Sequence, residues 1–262
     1  MGHVTDPPEP WRPSPRIGGV SAVEGFADSG GVRIHYLDHS PEATAGLPVL
    51  FVPGLVDRAT DYLAMFDVFA HRRLIIVDPR GRGGSDSPET GYSAMDQAGD
   101  LQAVLDQSGV DRFHLMTFSR GTSSGLGLAL GRPDQVATIS IGDYLPGEVR
   151  LPPELVEQMW ATTWRGRTYP ESITRVALEG IQADSVGREM WAELADLGKP
   201  TLVARGSSDA IIDDERAIRY RATLPGVEVI TIQGSGHDLF RPSRTAYPQA
   251  VSEFIERRAP GL

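Results

Sequence analysis

Residues 112–121 read Arg-Phe-His-Leu-Met-Thr-Phe-Ser-Arg-Gly, and the reading of this stretch decides the fold. The mostly apolar run 112–118 predicts a strand covered on both faces, because a half-exposed strand would alternate polar and apolar residues. It stops at Ser119, and a glycine-rich helical pattern follows over 120–131. A strand that feeds directly into a helix is the repeating unit of a parallel sheet. Ser119 then stands at the carboxyl end of a strand, where loops converge and reactive groups gather.

The same rhythm extends outward in both directions. Strands are expected at 48–52 (Pro-Val-Leu-Phe-Val), 74–77 (Leu-Ile-Ile-Val), 137–142, 200–204 and 227–232. Helices are expected at 58–71, 93–108, 213–224 and 245–258. Residues 32–38 alternate as an edge strand would, after a hairpin turn at Asp28-Ser29-Gly30-Gly31. Strands separated by helices imply right-handed crossovers, hence an α/β fold with a mostly parallel sheet flanked by helices. The segment 145–197 breaks the pattern with Pro146, Pro152, Pro153 and Pro170 and short helical patches. It is expected to form a small helical cap inserted after the sixth core strand. The core is then 21–144 and 198–262, preceded by a flexible proline-rich arm over 1–20.

Bulk properties narrow the function. With 262 residues, 40% of them hydrophobic, the chain can bury a large core without staples. It has no cysteine, which excludes disulfides, thiolate metal sites and a cysteine nucleophile. A formal charge of −10 repels phosphate backbones, so no nucleic-acid partner is expected. No run of 18 apolar residues is present, and residues 1–15 carry five prolines rather than an apolar signal core. No membrane association is expected, and a cytoplasmic location is. Composition is silent on oligomeric state.

Two further residues stand where Ser119 does, just beyond strand ends. Asp209 follows 200–204 within Arg205-Gly206-Ser207-Ser208-Asp209, and His237 follows 227–232 within Gln233-Gly234-Ser235-Gly236-His237. A serine hydroxyl needs a neighbouring base, and that base needs a carboxylate to hold its tautomer and stabilise the imidazolium. Asp143, after the strand 137–142, competes with Asp209 for the acid role. Of the other histidines, His35 and His114 fall within strands, and His3, His39 and His71 lie in the arm or in polar surroundings. The loop Asp78-Pro79-Arg80-Gly81-Arg82-Gly83-Gly84-Ser85 lacks the spacing of a phosphate-binding loop, so it is read as structural. No cluster has metal-ligand spacing, and no metal or cofactor is expected.

Over residues 24–258 the chain resembles the α/β-hydrolase family. There the nucleophile sits on a strand-to-helix elbow, G-x-S-x-G, and the triad runs serine, acid, histidine. The matching segment here is Thr117-Phe118-Ser119-Arg120-Gly121, with Thr117 in place of the first glycine. A rival frame, Gly121-Thr122-Ser123-Ser124-Gly125, fits the motif to the letter but lies inside the expected helix. The resemblance implies catalytic Ser119, Asp209 and His237, and an oxyanion hole from the backbone N–H groups of Leu55 and Arg120. It implies a carboxylic ester, lactone or thioester as substrate, cleaved through an acyl-enzyme on Ser119, and the apolar residues of the expected cap point to a small to medium, partly hydrophobic molecule. The same triad also serves lyases, perhydrolases and cyclases, and some relatives are small-molecule receptors. Met159, Trp160 and Trp164 share an apolar stripe at helical spacing that reads first as cap core and otherwise as substrate wall, over the active site in either case; with Tyr144 they are the candidates for lining the substrate pocket. Arg120 sets a guanidinium beside the nucleophile, open to an anionic substrate group or to a surface salt bridge.

Overall fold

The computed structural model describes residues 22–40 and 46–262. The arm expected over 1–20 lies outside the described residues. In chain order the elements are β1 (Ala22–Ser29), β2 (Val32–His39), β3 (Val49–Val52), α1 (Met65–Val68), β4 (Leu74–Val77), α2 (Ala94–Gln107), β5 (Phe113–Phe118), α3 (Gly121–Gly131) and β6 (Val136–Gly142). There follow α4 (Pro153–Trp160), the two-residue strands β7 (Thr163–Trp164) and β8 (Arg167–Thr168), α5 (Arg175–Asp184) and α6 (Trp191–Asp196). The chain closes with β9 (Thr201–Gly206), α7 (Asp214–Thr223), β10 (Glu228–Ile232) and α8 (Ala246–Arg258).

Eight strands form one sheet in the order β1-β2-β4-β3-β5-β6-β9-β10. Only the β1–β2 and β2–β4 pairs are antiparallel. The remaining five are parallel, as the alternation of strands and helices requires. Every residue of β3, β4 and β5 is buried, because helices cover both faces. Side chains alternate across the sheet, so β3 sends Leu50 and Val52 towards the α2–α3 layer and Val49 and Phe51 towards α8.

Two expectations are corrected here. The edge strand is β1, not the run 32–38, because β2 pairs with both β1 and β4. The expected helix over 58–71 is instead a 3-10 turn at Ala59–Tyr62 followed by the single turn of α1. Asp61 is the cause: its carboxylate accepts from the backbone N–H of Arg58 at 3.0 Å, which caps a tight turn rather than extending a helix.

Between β6 and β9 the chain leaves the sheet. The helix α4, the β7–β8 hairpin and α5 pack together around Val156, Ile173, Leu178 and Ile181. Arg80 and Arg82 are buried rather than solvated. Arg80 forms a forked ion pair with Asp100 of α2, at 2.7 and 2.5 Å, which ties the loop after β4 to the helix layer.

Candidate active site

Ser119 occupies the turn between β5 and α3 with φ +50°, a left-handed conformation that costs a non-glycine residue about 1–3 kcal/mol. The surroundings over-determine it. Its N–H donates to the Gly142 carbonyl at 2.8 Å, and its carbonyl accepts from Thr122 at 3.0 Å. Gly121 is obligatory, since a Cβ there would stand 2.3 Å from the Pro53 carbonyl oxygen. Thr117, in the place of the motif's first glycine, is fully buried. Its hydroxyl meets that of Thr122 at 2.9 Å and the Ser140 carbonyl at 3.3 Å. Its methyl faces Gly125, where a Cβ would lie only 2.7 Å from Thr117 Cγ2. The threonine fits because α3 has a glycine opposite it. Ser123, the serine of the rival frame, lies within α3 and donates to the Gly147 carbonyl at 2.6 Å.

His237 Nε2 stands 2.9 Å from Ser119 Oγ, and His237 Nδ1 stands 2.7 Å from a carboxylate oxygen of Asp143. The histidine ring stacks on Phe118, with ring centroids 5.3 Å apart. Asp143 is completely buried, and its carboxylate also accepts from the backbone N–H groups of Ile211 and Ile212, at 2.8 and 3.0 Å. Those amides satisfy an ion that would otherwise be costly to bury.

Asp209 therefore does not hold the position expected of it. Ser207 and Ser208 donate to the Ser235 carbonyl at 2.8 and 3.3 Å, after which the loop turns outward and leaves Asp209 exposed. Asp143 follows β6 directly, and its own N–H continues the ladder to Ala204 of β9 at 2.7 Å. That shorter path delivers its carboxylate to His237. The loop after β9 contributes N–H donors to the acid instead of the acid itself.

Ser119 and His237 line a cavity of about 400 Å³. Tyr144, Met159 and Trp164 also line it, as do Leu55 and Arg120, whereas Trp160 does not. Trp160 is half-buried against the apolar cluster of α4 and α5, with the Arg175 guanidinium 5.1 Å from its ring centre. Among the described residues, neither the Leu55 nor the Arg120 backbone N–H is used in a turn, loop or cap hydrogen bond. A wider, open depression of about 590 Å³ lies between α4 and α5, away from Ser119. Its Arg175 is already paired with Glu157 and Glu179.

A second polar cluster, unforeseen in the sequence, supports the site from beneath. Asp57 accepts from Tyr62 Oη at 2.7 Å, from Trp164 Nε1 at 2.8 Å and from the Gly54 N–H at 3.1 Å. Arg165, at the tip of the β7–β8 hairpin, is 3.3 Å from Asp57 and forks onto Asp238 at 2.8 and 2.5 Å. Its side chain is only 8% exposed. Asp57 follows the Pro53-Gly54-Leu55 turn and Asp238 follows His237, so one guanidinium ties both loops to the hairpin. Gly166 is the local signal of that hairpin legible in the sequence, and Arg165 and Gly166 both take positive φ in its two-residue turn. Burial, and after it the neighbouring Asp57 carboxylate, pushes the Tyr62 hydroxyl well above its usual range, so Tyr62 stays a donor.

Among the described residues no group of histidine, aspartate and glutamate side chains could hold a metal ion, and no helix is long and apolar enough to cross a membrane. The sequence profile of the alpha/beta hydrolase family matches residues 49–253. The chain is 34% identical over 264 residues to a putative carbamate hydrolase, RutD, of Variovorax paradoxus, covering 87% of this chain and 98% of the relative. It is 34% identical over 258 residues to the sn-1-specific diacylglycerol lipase ABHD11 of Mus musculus, covering 82% and 83%. Among solved structures, a thermophilic esterase from Thermogutta terrifontis superposes with a TM-score of 0.70 at 22% identity, covering 89% of this chain and 98% of that one.

Proposed function

This chain belongs to the alpha/beta hydrolase family, and from that premise we propose that it is a serine hydrolase acting on a carboxylic ester, lactone or thioester. The observation that carries the reading is the unbroken series Asp143–His237–Ser119, at 2.7 and 2.9 Å, opening into a cavity. Asp143 holds the Nδ1–H tautomer of His237, which leaves Nε2 free to accept the Ser119 proton. Ser119 Oγ attacks the substrate carbonyl. The Leu55 and Arg120 N–H groups, unused in the loops that carry them, receive the oxyanion, each worth about 3–4 kcal/mol to the transition state. His237 then protonates the leaving group, and water enters by the same route to release the acid.

Residues 145–197 act as a cap in this reading, because Leu151, Leu155, Met159 and Trp164 form the apolar side of the cavity. The two relatives at 34% identity, named for a carbamate and a diacylglycerol, support carbonyl chemistry with a heteroatom leaving group. A fluorophosphonate, which traps an activated serine, is the direct test. It should modify the wild-type chain at Ser119, located by peptide mass spectrometry, and leave Ser119→Ala unmodified although folded. A well-folded wild type that takes up no label would reject the reading.

A further inference from the structure

The cavity beside Ser119 carries three charged side chains besides the catalytic histidine: Asp57, Arg216 and Arg120. Two of them are already in ion pairs within the protein, Asp57 sharing its cation with Asp238. Asp57 meets Arg165, and Arg216 meets Asp213 at 2.7 Å. Arg120 is different. Its guanidinium donates to the Val149 carbonyl at 2.6 Å and to the Ser185 hydroxyl, both neutral acceptors. The Glu148 carboxylate accepts from the Ala94 and Val186 N–H groups, at 2.9 and 3.1 Å, and among the described residues it forms no ion pair with Arg120. Asp143, the remaining acid of the site, lies behind His237 and is fully satisfied.

The environment deepens this imbalance. Arg82, 5% exposed, lies close enough to Arg120 to feel its charge and has no acid bonded to it. It donates to the Arg80 carbonyl and to Gln97 Oε1, and its Nε has no acceptor. Burial, and then the repulsion of Arg120, bring its pKa down to about 9. The two guanidinium groups thus stand close enough to repel, and among the described residues neither is in an ion pair, although Asp100 and Asp78 offset part of the charge of Arg82. Among the described residues Arg120 is held by neutral groups, Val149, Ser185 and the Tyr144 hydroxyl, and is in no ion pair at the cavity wall.

We infer, resting on the serine-hydrolase reading above, that the substrate carries a carboxylate beyond its scissile carbonyl, and that this anion pairs with the Arg120 side chain. The inference names a monoanion, since among the described residues one guanidinium at the wall is without an ion pair. Leu145, Val149 and Leu151, also at the wall, suit a short apolar spacer between the two functional groups. Arg120 would thus act twice, through its backbone N–H on the oxyanion and through its side chain on the distal carboxylate.

The test uses two alkyl fluorophosphonates of equal chain length, one ending in a carboxylate and the other in a carboxamide. Wild-type protein should be labelled at Ser119 about 10- to 100-fold faster by the carboxylate probe, the range set by one charge-assisted hydrogen bond in a partly buried site. In Arg120→Gln the ratio of the two rates should fall to near one, and Arg120→Lys should keep part of it. Equal rates in the wild type, or faster labelling by the carboxamide, would overturn the inference while leaving the serine-hydrolase reading intact. A preference that survives Arg120→Gln would remove Arg120 from the role. Labelling by neither probe would take down the serine-hydrolase reading, and this inference with it.

Discussion

Asp143 and Asp209 follow neighbouring strands, β6 and β9, and share an unusual backbone conformation, with φ +44° and +45°. One is fully buried with its carboxylate 2.7 Å from His237, whereas the other is exposed. Residue type, backbone strain and place in the sheet therefore do not separate an acid that serves a histidine from one that does not. What separates them is the number of residues between strand and carboxylate. Asp143 follows the last residue of β6, so the sheet itself positions it, while Asp209 sits at the crest of a loop pinned to Ser235. The strain at Asp143 is offset by three hydrogen bonds to its carboxylate. At Asp209 no side-chain hydrogen bond or ion pair to the other described residues compensates it.

The sharpest way to break this contrast is to neutralise each acid in turn. Asp143→Asn should lower kcat/KM by about 10⁴-fold, by analogy with the acid of serine proteases, because the amide favours the wrong histidine tautomer. Asp209→Asn should change it by less than about threefold. Ester hydrolysis measured on both variants decides the matter, and a reversed pair of effects would return the acid to the loop after β9.

A smaller effect sharpens the comparison from the other side, through the carboxylates that lie near the site yet do not touch His237. Asp57 and Asp238 are held by Arg165, so Arg165→Met leaves two carboxylates without their cation. Breaking a buried pair in this way should cost about 3–5 kcal/mol of stability, read from the urea midpoint. Adding Asp238→Asn should restore part of the loss. No change in the midpoint would mean that the hairpin is not anchored by these pairs.

The parallel centre of the sheet was legible because β3, β4 and β5 are mostly apolar runs punctuated at their carboxyl ends, and Ser119 and His237 stand beyond the ends of β5 and β10. The acid was not decided by the same rule, because two strands offered one. The choice rests on loop hydrogen bonds at Ser207, Ser208 and Ile211, which are backbone groups and leave no trace in residue type. Arg165 escaped for a related reason: its partners, Asp57 and Asp238, lie 108 and 73 residues away in the chain, and periodicity is blind at that range. Trp160 was assigned to the pocket because it shares an apolar stripe with Met159 and Trp164. A stripe specifies which residues share a face but not what that face meets.

The contact between Thr117 and Gly125 bears on how such an elbow can change over generations. A methyl group at residue 125 would press on a β-branched side chain that its own hydrogen bonds hold in place. Gly125→Ala alone should therefore lose about 1–3 kcal/mol, despite the better helix propensity of alanine. On a Thr117→Gly background the same change should be close to neutral, and a double-mutant cycle of thermal unfolding would expose the coupling. Lineages carrying threonine at the elbow are then committed to glycine in the helix behind it, and the route back to the common motif must change residue 117 before residue 125.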